Sequence, residues 1–495
     1  MLYQSTRDKS VQITAAQAIA QGLARDGGLF VPSEIPALEP TALEALAKMN
    51  YQQRAVYVMK LFLEDFSREE LERFTGAAYS APGFDTPAIA PTRPTPDGNW
   101  FLELWHGPTC AFKDMALQML PYLLTASLDK TGEKRQVCIL VATSGDTGKA
   151  ALEGFRDVPR TKIIVFYPKD GVSDIQQLQM ITQQGQNVNV CSVIGNFDDA
   201  QTGVKKIFSD EALRQRLTEK GYFLSSANSI NWGRLLPQVV YYISAYCDLL
   251  NAGRIAMGEK VNFCVPTGNF GDILAGYYAK CMGLPVNKLI CASNCNDVLT
   301  EFIQTGVYNK NRTFYTTISP SMDILVSSNL ERLLFELSGK DDQLVAGYME
   351  QLNTRGSYEI TPALKARIDE TFACGSSSEE ETKDTIRRTF EQYGYLIDTH
   401  TAVAYSVLQR YQANTGDKTA SVVVSTASPY KFCAAVLEAL GKDATGSGLD
   451  LIDMLSRQTN TTGPKPLCSL RGKTPRFDGV VDKSDMIRVV EDFLQ

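Results

Sequence analysis

The chain of 495 residues is long enough for two or three domains, and its 44% apolar and 21% charged residues are ordinary for a globular protein. With 49 Lys+Arg against 56 Asp+Glu, a net charge of −7, the composition argues against nonspecific binding to nucleic acid or acidic membranes, which needs a basic surface. Eleven scattered cysteines without a CxxC pair exclude a zinc ribbon and a redox dithiol, and two histidines, His106 and His400, exclude a His-cluster metal site.

In chain order, MLYQSTRDKSVQ has no apolar run of the kind that directs secretion, and no later run is long enough to span a bilayer. DGGLFVP (26–32) reads as a turn into a short extended piece, and residues 41–66 and 67–79 read as helices. The Pro-rich stretch 86–100 is expected to be a boundary or a long loop. From Val137 onward, runs rich in Val and Ile predict strands at 137–142, 162–167, 187–193, 221–226, 261–265, 288–293 and 420–425, as buried parallel strands tend to read. Helical patterns such as 201–220 and 235–250 lie between them, so the fold class is α/β with open sheets. Cys138, Cys191, Cys264 and Cys291 fall in these strands, where reduced thiols suit a cytoplasmic protein. Residues 330–395 are mostly helical and charged, an accessory layer expected to stay outside the sheet.

The chemistry concentrates in one lysine and four turns. Lys113 follows Phe112 and leads into the apolar run MALQMLPYLL. Such a setting desolvates an amine and favours its neutral form, which can attack an aldehyde to form a Schiff base. ATSGDTGKA (142–150), between a strand and a helix, is either a tight connection or an anion site made by backbone N–H groups around Ser144, Gly145, Asp146 and Thr147. It is not a P-loop, because Thr143 stands at the first glycine position and Ala150 follows Lys149. In VPTGNFGDI (265–273), Gly268 and Gly271 bracket Asn269 and Phe270 ahead of Asp272, which reads as a structural turn or a phosphate cradle. SANSINWGRLLPQ (226–238) packs Asn228, Ser229, Asn231 and Arg234 together, either as a helix cap with a solvated arginine or as a phosphate site. After the last strand, Ser425, Thr426 and Ser428 could offer a hydroxyl to a ring nitrogen, while Lys431 reads as a surface charge. A Schiff-base lysine, a phosphate cradle and a hydroxyl turn together suggest pyridoxal phosphate.

At these residues the chain resembles the threonine synthase family, in its longer enterobacterial and fungal type. The resemblance rests on YQSTRD, ARDGGLFVP, WHGPTCAFKDMALQ, ATSGDTG, NSINWGR, PTGNFGD, SPSMDILVSSNLERLLF, DTHTAVA and STASPYKF, and it covers nearly the whole chain. It implies a fold-type II pyridoxal-phosphate enzyme, similar to the tryptophan synthase β subunit, with two open α/β domains, an N-terminal helical region and a helical insertion. The expected boundaries are 1–95 for the N-terminal region, 96–310 for the cofactor-binding core with a small sheet domain at roughly 135–230, 311–395 for the insertion, and 396–495 for the return to the large domain and a C-terminal segment. The implied reaction converts O-phospho-L-homoserine and water to L-threonine and phosphate, in the cytoplasm, by a monomer or weak homodimer that needs no metal, nucleic acid or membrane.

By the same resemblance, Lys113 carries the cofactor and moves protons. Gly268, Asn269, Phe270, Gly271 and Asp272 belong to the cofactor loop, and Thr426 faces the pyridine nitrogen. Ser144, Gly145 and Thr147 take the substrate carboxylate, and Asn228, Ser229, Asn231 and Arg234 take or support its phosphate. Asp146 stands beside the cofactor's phenolic oxygen, where related enzymes often have Asn. His106 is expected to be structural or stacking. The alternatives are another fold-type II lyase, such as a threonine or serine dehydratase or a phospholyase, and an inactive cofactor-binding homologue with a regulatory or secreted role.

Overall fold

In the computed structural model, which describes residues 1–39 and 41–495, the Val- and Ile-rich runs become two mostly parallel sheets. The strands are β1 (Tyr3–Ser5), β2 (Phe30–Pro32), β3 (Thr92–Pro94), β4 (Trp100–Glu103), β5 (Gln136–Ala142), β6 (Thr161–Pro168), β7 (Val188–Val193), β8 (Tyr222–Ser225), β9 (Val261–Pro266), β10 (Val286–Ser293), β11 (Val307–Asn309), β12 (Ser357–Glu359), β13 (Phe372–Ser376), β14 (Ala420–Ser425) and β15 (Val480–Val481). The larger sheet has the order β13-β10-β9-β14-β4-β3 and the smaller one β15-β7-β6-β5-β8. Every pairing in the smaller sheet is parallel, and in the larger one only β3–β4 is antiparallel. Parallel strands need crossovers and are buried on both faces, which is why β5, β6, β9 and β14 read as continuous apolar runs and not as alternating ones.

Three features differ from the sequence expectation. The Pro-rich stretch is not simply a loop: it contains β3, which turns at Asp97-Gly98 into β4 (Trp100–Glu103). β4 runs parallel to β14 and ends just before Trp105. The 330–395 segment is not outside the sheet, since its β13 (FACGS) pairs in parallel with β10 at the sheet edge. An edge strand buries little, so small residues suffice there and the apolar signature fades. The C-terminal segment crosses back to the smaller sheet, where β15 pairs with β7 and helix Met486–Phe493 buries Met486 and Val490 in the cluster that includes Leu140 and Ile164.

The N-terminal region is tied to the rest by its own short pairing, β1 with β2. Tyr3 of β1 stacks edge-on to Trp232, and Arg54 donates to Asp248 at 2.8 Å. The 20-residue helix Trp232–Asn251 is buried on nearly all sides and packs against this region, against helix Lys113–Leu117 and against helix Gly271–Cys281. It therefore brings three sequence-distant loops to the same end of the molecule. No helix among the described residues is long and apolar enough to cross a membrane.

Candidate active site

A cleft lies where the C-terminal ends of the two sheets meet, and Lys113, Thr147, Asn228, Ser229, Arg234, Gly268–Asp272, His400 and Thr426 line it. This is where parallel α/β sheets present loops and helix starts to ligands. Lys113 opens helix Lys113–Leu117, with Nζ 4.0 Å from the centroid of the Phe112 ring. The loop ahead of it is pinned to the β14 turn, because Phe112 N–H donates to Thr426 O at 2.7 Å and Ser428 N–H donates to Cys110 O at 3.0 Å. Although part of the side chain faces the cleft, the surrounding protein desolvates its ammonium, and the nearby Arg234 guanidinium repels it. Together they pull the amine down to about 7.

The glycine loop follows β9. Phe270 adopts the left-handed conformation (φ 63°) and caps helix Gly271–Cys281, so the loop's amides lie at a helix start. A Cβ on Gly268 would come within 2.6 Å of Ser321 O, so glycine is required by the close approach of that backbone. Asp272 sits in the first turn of the helix. Its Oδ1 accepts from the hydroxyls of Tyr241 (2.6 Å) and Tyr242 (2.7 Å), while Oδ2 is buried without a partner. Burial outweighs the tyrosine bonds and raises the carboxyl to about 6.

Beside the glycine loop, Asn228, Ser229 and Arg234 face the cleft together. Arg234 is buried, donates from Nη1 to Ala227 O at 2.6 Å and leaves Nε without a partner. Burial drags its pKa down to about 10. A buried guanidinium with an open donor is costly unless an anion completes it. Asn231 has a different job. It accepts from Gly233 N–H (2.9 Å) and donates to Ile19 O (3.0 Å), capping the long helix and anchoring it to the N-terminal region, and it does not line the cleft.

The ATSGDTG turn contributes less open backbone than its composition suggests. Thr143 Oγ1 accepts from the N–H groups of both Gly145 (2.9 Å) and Gly148 (2.8 Å), so those two donors are already taken. Gly145 has φ 125° and no room for a Cβ against Gln176. Of this turn, Thr147 lines the cleft, whereas Ser144 and Gly145 do not.

Asp146 shows why Lys431 is no surface charge. Lys431 is buried and donates to Asp146 Oδ1 (2.7 Å) and Thr109 O (2.9 Å), while Gln176 Nε2 donates to the same carboxylate at 2.9 Å. Burial alone would raise Asp146; the Lys431 ammonium outweighs it and holds the carboxyl below its ordinary value. The apolar and small residues around Lys431 in STASPYKF hide this, because its partners come from more than 250 positions away.

His400 also has a place that its motif did not disclose. It lines the cleft, its Nδ1 lies 2.9 Å from Asp398 Oδ1, and its Nε2 accepts from Ser321 N–H at 3.1 Å. Those partners put the proton on Nδ1 and make His400 a brace for the Ser321 backbone that packs on Gly268. His106 stacks on Trp105 (centroids 4.4 Å apart, 20° between planes) and bridges Asp85 and Glu103.

Pyridoxal phosphate fits this donor set. The cleft offers an amine near neutrality for its aldehyde, a glycine loop at a helix start for its phosphate, and the hydroxyl of the buried Thr426 among its lining residues.

Three family models cover the chain in succession: threonine synthase N terminus over residues 2–79, pyridoxal-phosphate dependent enzyme over 81–427, and threonine synthase, C-terminal, over 401–486. The chain is 38% identical over 465 residues to a threonine synthase of Saccharomyces cerevisiae, covering 89% of each protein. It is 43% identical over 436 residues to the Homo sapiens protein threonine synthase-like 1, covering 86% of this chain and 58% of that one, so it spans well under two thirds of that relative's length. The crystal structure of pyridoxal-phosphate-bound threonine synthase from Brucella melitensis matches with a TM-score of 0.87 at 38% identity, covering 100% of this chain and 98% of that one. The matched models and the full-length likeness agree with the geometry of the cleft: the chain belongs to the threonine synthase family of pyridoxal-phosphate dependent enzymes.

Proposed function

We propose that this chain converts O-phospho-L-homoserine and water to L-threonine and phosphate. The observation that carries the reading is the placement of two anion loops, one around Gly268–Gly271 and one around Asn228–Arg234, side by side in a cleft that holds one near-neutral amine. A cofactor phosphate needs only one such loop; a phosphorylated amino-acid substrate supplies the second anion.

Bound pyridoxal phosphate supplies an aldehyde that condenses with amines and a conjugated ring that takes up the electron pair left by a departing proton. The chain does the rest. Gly268, Asn269, Phe270 and Gly271 would hold the cofactor phosphate, and Asp272 steadies the start of that helix through Tyr241 and Tyr242. Thr426, on the cleft lining, would offer its hydroxyl to the ring nitrogen. Asp146, kept anionic by Lys431, would stand near the cofactor's phenolic oxygen. Ser144, Gly145 and Thr147 form the turn that takes the substrate carboxylate, with Thr147 as the member on the cleft surface. Asn228, Ser229 and Arg234 hold the substrate phosphate, and Asn231 sets the helix that carries Arg234.

Lys113 Nζ, neutral above about pH 7, accepts the proton from the substrate carbon next to its amine. A second proton leaves the β-carbon, its electron pair forms the second bond between the β- and γ-carbons, and the γ C–O bond breaks with phosphate taking its pair. A proton then returns to the γ-carbon, water adds at the β-carbon, and the α-carbon is reprotonated. All eleven cysteines are free thiols, which suits the reducing cytoplasm as the place of action.

Arg234→Ala tests the reading. Truncating a buried hydrogen-bonded charge partner costs on the order of 2–5 kcal/mol. The KM for O-phospho-L-homoserine is expected to rise at least roughly thirtyfold by that figure, with pyridoxal phosphate still bound. An unchanged KM in the cofactor-loaded variant refutes the second anion site.

A further inference from the structure

We propose that Asn329 and Arg332 are a positioning pair that locks the glycine loop and the Asn228–Ile230 loop at one fixed spacing and orients the Ser229 hydroxyl toward the substrate anion. The proposal deepens the functional reading above and rests on it for the identity of that anion.

Both residues belong to SSNLERLLF, at the start of helix Leu330–Leu337, and both are fully buried. The Asn329 side-chain amide bridges the two loops, donating to Ser229 Oγ at 2.9 Å and to Asn269 O at 3.1 Å. Its own N–H donates to Asn269 O as well, at 3.1 Å. Its Oδ1 accepts from Arg332 Nη1 at 2.5 Å. Arg332 in turn donates to Ser229 O (3.0 Å), Ile230 O (2.6 Å) and Phe30 O (3.0 Å). One amide and one guanidinium thus hold both anion loops and β2 of the N-terminal region.

These bonds have chemical consequences. Because Ser229 Oγ accepts from Asn329, its own hydroxyl proton is left to donate, and Ser229 is one of the residues that line the cleft. On the other loop, Gly268 O accepts from Ser327 Oγ (2.8 Å) while Asn269 O faces Asn329. In a planar trans peptide the C=O and the next N–H point in opposite directions, so the Asn269 and Phe270 N–H groups turn away from the 327–329 segment. The bonds given to Arg332 run to carbonyl oxygens and an amide, not to a carboxylate. The neighbouring Glu331 carboxylate acts on Arg332 only through space, its oxygens being bonded to Arg7 and Thr6, and a buried cation whose direct bonds run to dipoles favours an anion nearby. Reacting groups must be held within roughly half an ångström of productive geometry, and these two side chains span the gap in which that spacing is set.

Asn329→Asp is the informative variant. It preserves shape and strengthens the bond to Arg332, but it removes both amide donors and makes Ser229 donate backward to the carboxylate. The holoenzyme is expected to keep its fold and its visible cofactor band, with kcat within a few fold of wild type. The KM for O-phospho-L-homoserine should rise about tenfold or more, and the affinity for inorganic phosphate, titrated calorimetrically, should fall by a similar factor. Ser229→Ala should add little on top of N329D, since one acts through the other. Unchanged phosphate affinity in a folded, cofactor-loaded N329D protein overturns the proposal, as does full additivity with S229A. If wild type binds phosphate but does not turn over the substrate, the functional reading fails while the phosphate titration still decides the role of Asn329. If N329D does not fold, Asn329→Ser, which can reach at most one of the two loops, takes its place in the same titration.

Discussion

At Lys113, burial and the Arg234 guanidinium both disfavour the ammonium, while Asp146 and Asp272 only partly oppose them. The amine is therefore brought to about 7, more than three units below an ordinary lysine at roughly 10.4. The sign sets the pH dependence: the reactive neutral form is lost as pH falls through 7 and is nearly complete by pH 8. Capture of pyridoxal phosphate by the apo-protein, followed by its visible absorbance, should show a midpoint at about 7. Arg234→Ala should move that midpoint up, because a repelling charge is gone. A midpoint near that of free lysine contradicts the assignment. Lys113 is legible in the sequence because an aromatic residue precedes it, with its ring 4.0 Å from Nζ, and an apolar helix follows it. Lys431, His400 and Arg332 are not, because what buries them and what they bond, namely Asp146, Ser321 and Phe30, arrive from distant segments.

Among the elements, the start of helix Gly271–Cys281 is the most constrained. Gly268 has Ser321 O where a Cβ would lie, at 2.6 Å, whereas a Cβ on Gly271 meets nothing closer than 3.4 Å. Gly268→Ala must therefore displace backbone braced by His400, and Gly271→Ala need not. We expect G268A to weaken pyridoxal phosphate binding by about tenfold or more and G271A to weaken it far less, read from the fluorescence of the bound cofactor. Equal losses would show that the close approach of Ser321 does not shape the loop. The glycine loop was readable because a strand ending in Pro266, two glycines and a following helix leave few other conformations. The strands β4 and β13 were not. One hides behind prolines and a turn, and the other is a small-residue edge whose pairing is set by the register of β10.

Across the whole molecule, the two sheets were legible from their buried parallel strands, but the connections between them were not. The C-terminal segment completes the smaller sheet through β15, and the N-terminal region braces both the long buried helix and the Asn228–Ile230 loop through Ile19 and Phe30. Such ties depend on single backbone contacts that leave no periodic trace. Their result is one cleft in which an amine, the glycine loop and the Asn228–Arg234 loop come together. The most direct test is to incubate the purified, cofactor-loaded protein with O-phospho-L-homoserine in isotopically labelled water and to measure phosphate and threonine in the same samples. The account predicts equal molar amounts of both, with the solvent label in the threonine hydroxyl. Phosphate accompanied by a keto acid and no threonine, or no phosphate at all, would contradict it.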